Sequence, residues 1–234
     1  MTVAAPAPAL TVEGGAAVTL AGNPDFGHVV ARIPPGATLL VESGAMASMS
    51  QGMQVKSRLM GGVFKALIRK VLGGESLFVG EYSHPQGGEI TLSPAIPGMV
   101  VHRKLNGETL LFQGGAFLAC TPGITLGTQF GGLRALLGGE GLFFLKVSGQ
   151  GDLFFNAIGS IVEREVNGSL VVDTGHLVGW ESSLNWTIRG MGGLKATLLS
   201  GEGLVIEFAG RGKVWLQTRT EGGLVGWVGG YCRG

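Results

Sequence analysis

Three glutamates recur in one short motif. Glu75 sits in Gly74-Glu75-Ser76-Leu77-Phe78-Val79, Glu140 in Gly139-Glu140-Gly141-Leu142-Phe143-Phe144, and Glu202 in Gly201-Glu202-Gly203-Leu204-Val205-Ile206. They lie 65 and 62 residues apart. Carboxylates repeated in this way could ring a symmetry axis and bind a cation or a partner's basic group. A glutamate before a strand also has a local use, accepting hydrogen bonds from backbone N–H groups beside the glycines. That local role is the commoner one. Glu75, Glu140 and Glu202 are the repeat-equivalent polar site of this chain.

Other chemistries find less support. His28, His84, His102 and His176 are scattered without ligand spacing, whereas a metal site needs several ligands converging, so no metal is expected. Gly210-Arg211-Gly212-Lys213 is followed by Val214, where a phosphate loop needs Ser or Thr. Glu207 stands where the first glycine of that loop should be. Gly149-Gln150-Gly151 lacks the last glycine of a dinucleotide fingerprint, because Phe154 occupies it. No cofactor is expected. There is no Gly-x-Ser-x-Gly elbow, and Cys120 has no evident histidine partner. No catalytic residue is assigned, and the protein is expected not to be an enzyme. Cys120 and Cys232 make no zinc pattern, and whether they pair is left open. A reducing compartment suits them better.

The elements around these residues would position them. Forty-four of 234 residues are glycine, 45% are hydrophobic and 14% are charged. That is too apolar for disorder, and such dispersed glycine suits many short strands joined by tight turns. Three stretches share an order of signals: Thr38 to Met46, Thr109 to Phe117 and Ser169 to Leu177. Each is an apolar strand, a polar pair, a glycine and a second apolar stretch. A Gly-Gly step follows in each, at Gly61-Gly62, Gly131-Gly132 and Gly192-Gly193. Phe64, Leu67, Ile68 and Val71 then fall at helical spacing, which predicts a helix over residues 63–72. Glycine-rich segments at 84–88, 149–152 and 210–213 read as hairpin tips closing each unit.

The expected architecture is therefore an all-β sandwich of three tandem diverged repeats with short helical insertions. The repeats run over about residues 30–100, 101–165 and 166–220, in a single domain of residues 25–234. Residues 1–24 are expected to be a loose lead-in. Met1 to Leu10 has neither the basic start nor the apolar core of a signal peptide. No apolar run reaches the length of a membrane helix, and the glycine-broken tail from Gly222 is expected to dock on the domain. The net charge is +1 and the basic run His102-Arg103-Lys104 is short, so nucleic acid is not an expected partner. Charged side chains are few for this length, which points to apolar surface covered by another copy of the chain.

The Gly-Gly-Glu-Ser-Leu-Phe run near residue 74 and Leu92-Ser93-Pro94-Ala95-Ile96-Pro97-Gly98 carry a resemblance. So do Phe112-Gln113-Gly114-Gly115-Ala116-Phe117-Leu118-Ala119 and the later Gly-Glu-Gly-Leu motifs. From about residue 25 to about residue 225 the chain resembles the altered inheritance of mitochondria protein 24 family. The resemblance implies tandem repeats of a β-sandwich like that of the tryptophan RNA-binding attenuation protein, and trimeric rings. A fungal member is a mitochondrial inner-membrane protein linked to cristae organisation, whereas this chain lacks an Arg- and Ser-rich organelle presequence. The resemblance carries over no catalytic residue. The expected function is a non-enzymatic scaffold or binding protein, a homotrimer, cytoplasmic and peripheral to a membrane, with a protein or membrane surface as partner. The alternative is a ring that binds a small ligand or RNA.

Overall fold

Short runs of β-branched and aromatic residues, punctuated by glycine, form antiparallel strands throughout this chain. A computed structural model describes residues 8–59, 78–131, 143–190 and 204–232. The first unit holds β1 (Leu10–Thr11), β2 (Ala17–Ala21), β3 (His28–Ile33), β4 (Thr38–Glu42), β5 (Met46–Met49), β6 (Gln54–Leu59), β7 (Phe78–Ser83) and β8 (Gly88–Leu92). The second holds β9 (Gly98–Phe112), β10 (Phe117–Cys120), β11 (Ile124–Phe130) and β12 (Phe143–Ile158). The third holds β13 (Ile161–Asp173), β14 (Leu177–Glu181), β15 (Asn185–Gly190) and β16 (Leu204–Gln217), before helix α1 (Glu221–Cys232). The fold is all-β.

The same pairing scheme runs through all three units. In the second, β12 lies along β9 over its length, and its two halves pair on the other side with β11 and β10. In the third, β16 lies along β13, and its halves pair with β15 and β14. In the first the long ribbon is cut in two. Strand β7 pairs with β4 and β6, while β8 pairs with β3 and β5. One short strand of each unit carries an irregularity at the same place: Met46/Ser48 in β5, Phe117/Ala119 in β10 and Leu177/Gly179 in β14. A bulge of this kind sets which residues face the core on either side of it.

The expected hairpin tips are corrected by this scheme. The chain does not reverse at 149–152 or 210–213, where β12 and β16 run straight through. At 84–88 the chain turns, but β7 and β8 belong to different sheets and do not pair. Glycines there have another use. Gly168 and Gly210 stand directly opposite one another, with φ of 117° and 119°. Gly149 and Gly107 take 116° and 108° close to the register shift in the β12–β9 ribbon. Positive φ lets a strand bend sharply without losing its partner, as at a barrel corner. Local sequence signals for a bend and for a turn are the same, so only the pairing distinguishes them.

Units join edge to edge. Strand β4 pairs with β10 of the second unit, and β9 pairs with β14 of the third. The two joints make one 11-stranded sheet. The first unit's remaining strands form a 5-stranded sheet, β1-β2-β3-β8-β5. Each hydrophobic cluster borrows across a joint: Leu118, Ala119 and Phe154 enter the first unit's core, and Leu111 and Phe144 the third's. Residues 1–24 are not all a loose lead-in. Val12, Ala16 and Val18 are buried in the first core, and β2 pairs with β3 from Ala17↔Arg32 to Ala21↔His28. The helix expected at 63–72 lies outside the described residues. Of the described helices, α1 is long and the others are single 3-10 turns.

A strand corner that depends on positive φ makes a clear demand on Gly168. Replacing it by alanine meets no steric obstacle in the folded chain, but its φ of 117° is strained for any side chain. Gly168→Ala is expected to lose about 1–3 kcal/mol in urea unfolding. Gly127→Ala, in an equally open position with ordinary φ, is expected to be neutral or stabilising. Equal stability of the two variants would overturn the corner assignment.

Candidate functional site

A polar step is repeated at the place where each short strand ends. The backbone N–H of Glu89 donates to Ser50 Oγ at 2.9 Å, that of Asp152 to Thr121 Oγ1 at 2.9 Å, and that of Lys213 to Glu181 Oε2 at 3.1 Å. The backbone carbonyls of Ser50, Thr121 and Glu181 each close a turn by accepting from the N–H of Met53, Ile124 and Leu184 respectively. Ser50, Thr121 and Glu181 each lie six residues after a glycine of the repeated motif, Gly44, Gly115 and Gly175. That offset was readable, but the changing side-chain type concealed it.

In the second unit the step grows into a clasp. Asp152 is buried, and its Oδ2 accepts from the backbone N–H of Glu13 at 2.7 Å while Oδ1 accepts from His102 Nε2 at 2.7 Å. Thr121 Oγ1 in turn donates to Glu13 Oε2 at 3.1 Å. A buried carboxylate needs hydrogen-bond donors, and here each oxygen accepts one. Gly151, at φ 142°, leaves the space that Thr121 Oγ1 and Glu13 occupy. The clasp therefore fastens the N-terminal segment to the second unit, 139 residues away in sequence.

In the third unit the charges point outward. Glu181 Oε1 accepts from Arg103 Nη2 at 3.1 Å, and the Arg103 guanidinium lies 4.7 Å from the centre of the Trp215 ring. Trp215 Nε1 donates to Glu163 Oε2 at 2.9 Å, and Lys213 Nζ to Glu163 Oε1 at 2.6 Å. The hydrogen bond from Lys213 holds the Glu163 carboxyl below its ordinary value, opposed by partial burial and aided by Trp215 and by the nearby charges. The same bond raises Lys213.

The residues singled out from sequence are not brought together. Glu75, Glu140 and Glu202 lie outside the described residues. Each histidine has its own partner. His28 Nδ1 meets Phe26 O, His84 Nε2 meets Gln51 O, His102 meets Asp152 and His176 Nδ1 meets Gln217 O. Among the described residues no three His, Cys, Asp or Glu are placed to hold a metal ion. Cys120 is buried beneath the sheet, which pushes its thiol well up, so it stays protonated at neutral pH. Cys232 is exposed, and both cysteines are free. Trp180 and Trp215 are core residues. Trp180 packs edge-on against Phe144 and Phe208, while Trp227 is exposed on α1. What the described polar groups do is fasten strands to one another.

Two outcomes follow from these ties. Asp152→Ala leaves the Glu13 N–H and His102 without their acceptor and is expected to lose about 1–3 kcal/mol in chemical denaturation. A loss below about 0.5 kcal/mol, the level of an ordinary surface change, would remove the clasp from the account. Glu163 has a lowered pKa when folded, so its contribution is present above the ordinary carboxylate range. It is lost as pH falls through the folded value. Glu163→Gln is expected to flatten the acid limb of a stability–pH profile below about pH 4.5. An unchanged limb would refute the assignment.

Comparison with known proteins agrees with this architecture. The profile of the mitochondrial biogenesis AIM24 family matches residues 18–219. An uncharacterised protein of Streptococcus pyogenes serotype M6 is 27% identical over 192 residues, covering 78% of this chain and 77% of its own length. The crystal structure of a Streptococcus pyogenes protein superposes with a TM-score of 0.77 at 26% identity. The match covers 92% of this chain and 99% of that one. This chain belongs to the mitochondrial biogenesis AIM24 family.

Proposed function

We propose that the protein is a non-enzymatic scaffold that binds a membrane surface through helix α1. The observation that carries this reading is the helix itself. It buries none of its residues, contrary to the expected docking of the tail on the domain. Its sequence, Glu-Gly-Gly-Leu-Val-Gly-Trp-Val-Gly-Gly-Tyr-Cys, is apolar all round. Trp227 is 65% and Tyr231 78% exposed.

Water is a poor medium for such a helix. Five of its twelve residues are glycine, each about 1 kcal/mol worse than alanine in a helix interior. Isolated helices of this length are marginal even when alanine-rich. An apolar medium changes the balance. There the backbone must bond to itself, and Trp and Tyr settle at the boundary between hydrocarbon and water. Twelve residues span about 18 Å, short of the roughly 30 Å hydrocarbon core, so the helix would lie in the surface. Among the described residues no helix is long and apolar enough to cross a membrane. The single net positive charge means apolar burial rather than attraction to anionic lipid supplies the affinity.

Sedimentation with phosphatidylcholine vesicles tests the reading. The full chain is expected to sediment with vesicles, with a blue shift of Trp227 emission, and to do so at low and high salt alike. A chain ending at Thr220 is expected to stay in the supernatant. Failure of the full chain to bind, or equal binding by the truncated chain, would sink the proposal.

A further inference from the structure

Helix α1 is not the only apolar feature at its end of the molecule. Outside α1, Phe26 is the most exposed large hydrophobic side chain among the described residues, at 71%, and Val171 follows at 46%. A single exposed apolar residue needs no explanation. Phe26 differs in how it is held and in what lies beside it.

Phe26 sits in the turn between β2 and β3, and that turn is fastened on both sides of it. Asn23 takes the place of a strand residue against β9. Its Nδ2 donates to Val100 O at 2.8 Å, and its Oδ1 accepts from Val100 N–H at 2.9 Å. Gly27 N–H donates to Gly98 O at 2.7 Å, and Phe26 N–H to Gly22 O at 2.9 Å. A Cβ at Gly27 would collide with Asn23 Oδ1 and Val100 N, so only glycine lets the turn lie this close to β9. The backbone is fixed while the ring stays in solvent. A side chain presented by an ordered backbone loses less freedom on binding than one on a loose loop.

The same bonds lead from Phe26 to α1. Gly27 is bonded to Gly98 at the start of β9, and Gly98 bridges to Gly159 in the turn between β12 and β13. Beside that turn, Arg219 N–H donates to Ile158 O at 3.3 Å, and α1 begins two residues later at Glu221. Adjacent paired backbones lie about 4.8 Å apart, so these three steps put the Phe26 turn about 15 Å from the root of α1. That is less than the helix's own length of about 18 Å. The loop Pro94-Ala95-Ile96-Pro97 runs into the same corner without a charge, and Ala95 and Pro97 are exposed. Asp25, Arg219 and Glu221 are exposed around it and can stay among lipid headgroups.

We infer that Phe26 is a second membrane contact, its ring entering the interfacial layer of the lipid surface in which α1 lies. This contact rests on the reading of α1 given above and adds to it the orientation of the β domain. The end that carries Phe26, the β8–β9 loop and the β12–β13 turn faces the lipid. Val171, near the other end of β13, faces away from it. One helix joined to the domain at a single point leaves the domain free to swing, and a second contact about 15 Å away removes that freedom.

Vesicle binding with a fluorescent label at one residue tests the orientation. The full chain carries Cys232→Ser, which leaves only the buried Cys120, and a polarity-sensitive thiol label is placed on Phe26→Cys or on Val171→Cys. With phosphatidylcholine vesicles the label at residue 26 is expected to shift to the blue and to be quenched by lipid spin-labelled near the headgroup. The label at residue 171 is expected to keep its solvent emission. Without labels, Phe26→Ala is expected to weaken partitioning into vesicles about tenfold, the scale of one apolar side chain leaving water, and Phe26→Leu to retain most of it. Circular dichroism of Phe26→Ala is expected to be unchanged, since the ring is mostly in solvent. If the full chain sediments with vesicles but the label at residue 26 keeps its solvent emission, the second contact is refuted and the reading of α1 stands. The same holds if a folded Phe26→Ala partitions undiminished, or if both labels respond equally. If the full chain does not sediment at all, both fall. Should Phe26→Ala fold poorly, the two labels decide.

Discussion

The backbone ladder between neighbouring units is the constraint on which the rest of the structure rests. Strand β4 meets β10 and β9 meets β14 through only two or three residue pairs each. Those few pairs set the whole geometry, because a slip of one residue would turn every core side chain of the short strand toward water. The shared bulge at Met46/Ser48, Phe117/Ala119 and Leu177/Gly179 prevents that slip. It fixes which side of the strand faces inward just before the joint begins. Packing then follows from register. Phe144 of the second unit reaches Trp180 of the third with ring centroids 4.7 Å apart, and Phe112 reaches Trp215 at 6.3 Å. Neither contact exists unless the joint is correctly formed.

Polar chemistry in this molecule serves the same end. The three N–H groups of Glu89, Asp152 and Lys213 need acceptors where the short strands end and pairing lapses. Ser50, Thr121 and Glu181 supply them with hydroxyls in two units and a carboxylate in the third. Once Glu181 is a carboxylate, Arg103 can bond to it and lie over Trp215. Once Thr121 is there, Glu13 can be held, and with it the N-terminal strand. The units diverged in side chain while keeping one backbone requirement. This is the pattern expected when a polar position is structural and no ligand holds it to one residue type.

The joints leave the outermost described strands of the array with one edge unpaired. The repeat places unpaired strands at the two termini of the array and an unburied apolar helix beyond the last strand.

Repetition was legible in the sequence because it is a matter of order and spacing. The motifs at Thr38, Thr109 and Ser169 share one order of signals, and β-branched and aromatic runs between glycines point to the all-β class. These are local properties, written in the identity of each residue and its neighbours. The destination of each strand is not local. Gly149 and Gly210 read as hairpin turns, and the pairing of β12 with β9 and β16 with β13 made them bends in unbroken strands. Val12 and Val18 read as part of a loose lead-in, and the Asp152 clasp with the β2–β3 ladder made them core. The equivalence of Ser50, Thr121 and Glu181 was hidden by their differing chemistry until three backbone N–H groups were seen to need the same acceptor. Sequence alone determined the all-β class and the composition of the strands. Tertiary structure decided which edges meet, because a strand's partner is chosen by register and burial across the whole chain, and no single segment carries that information.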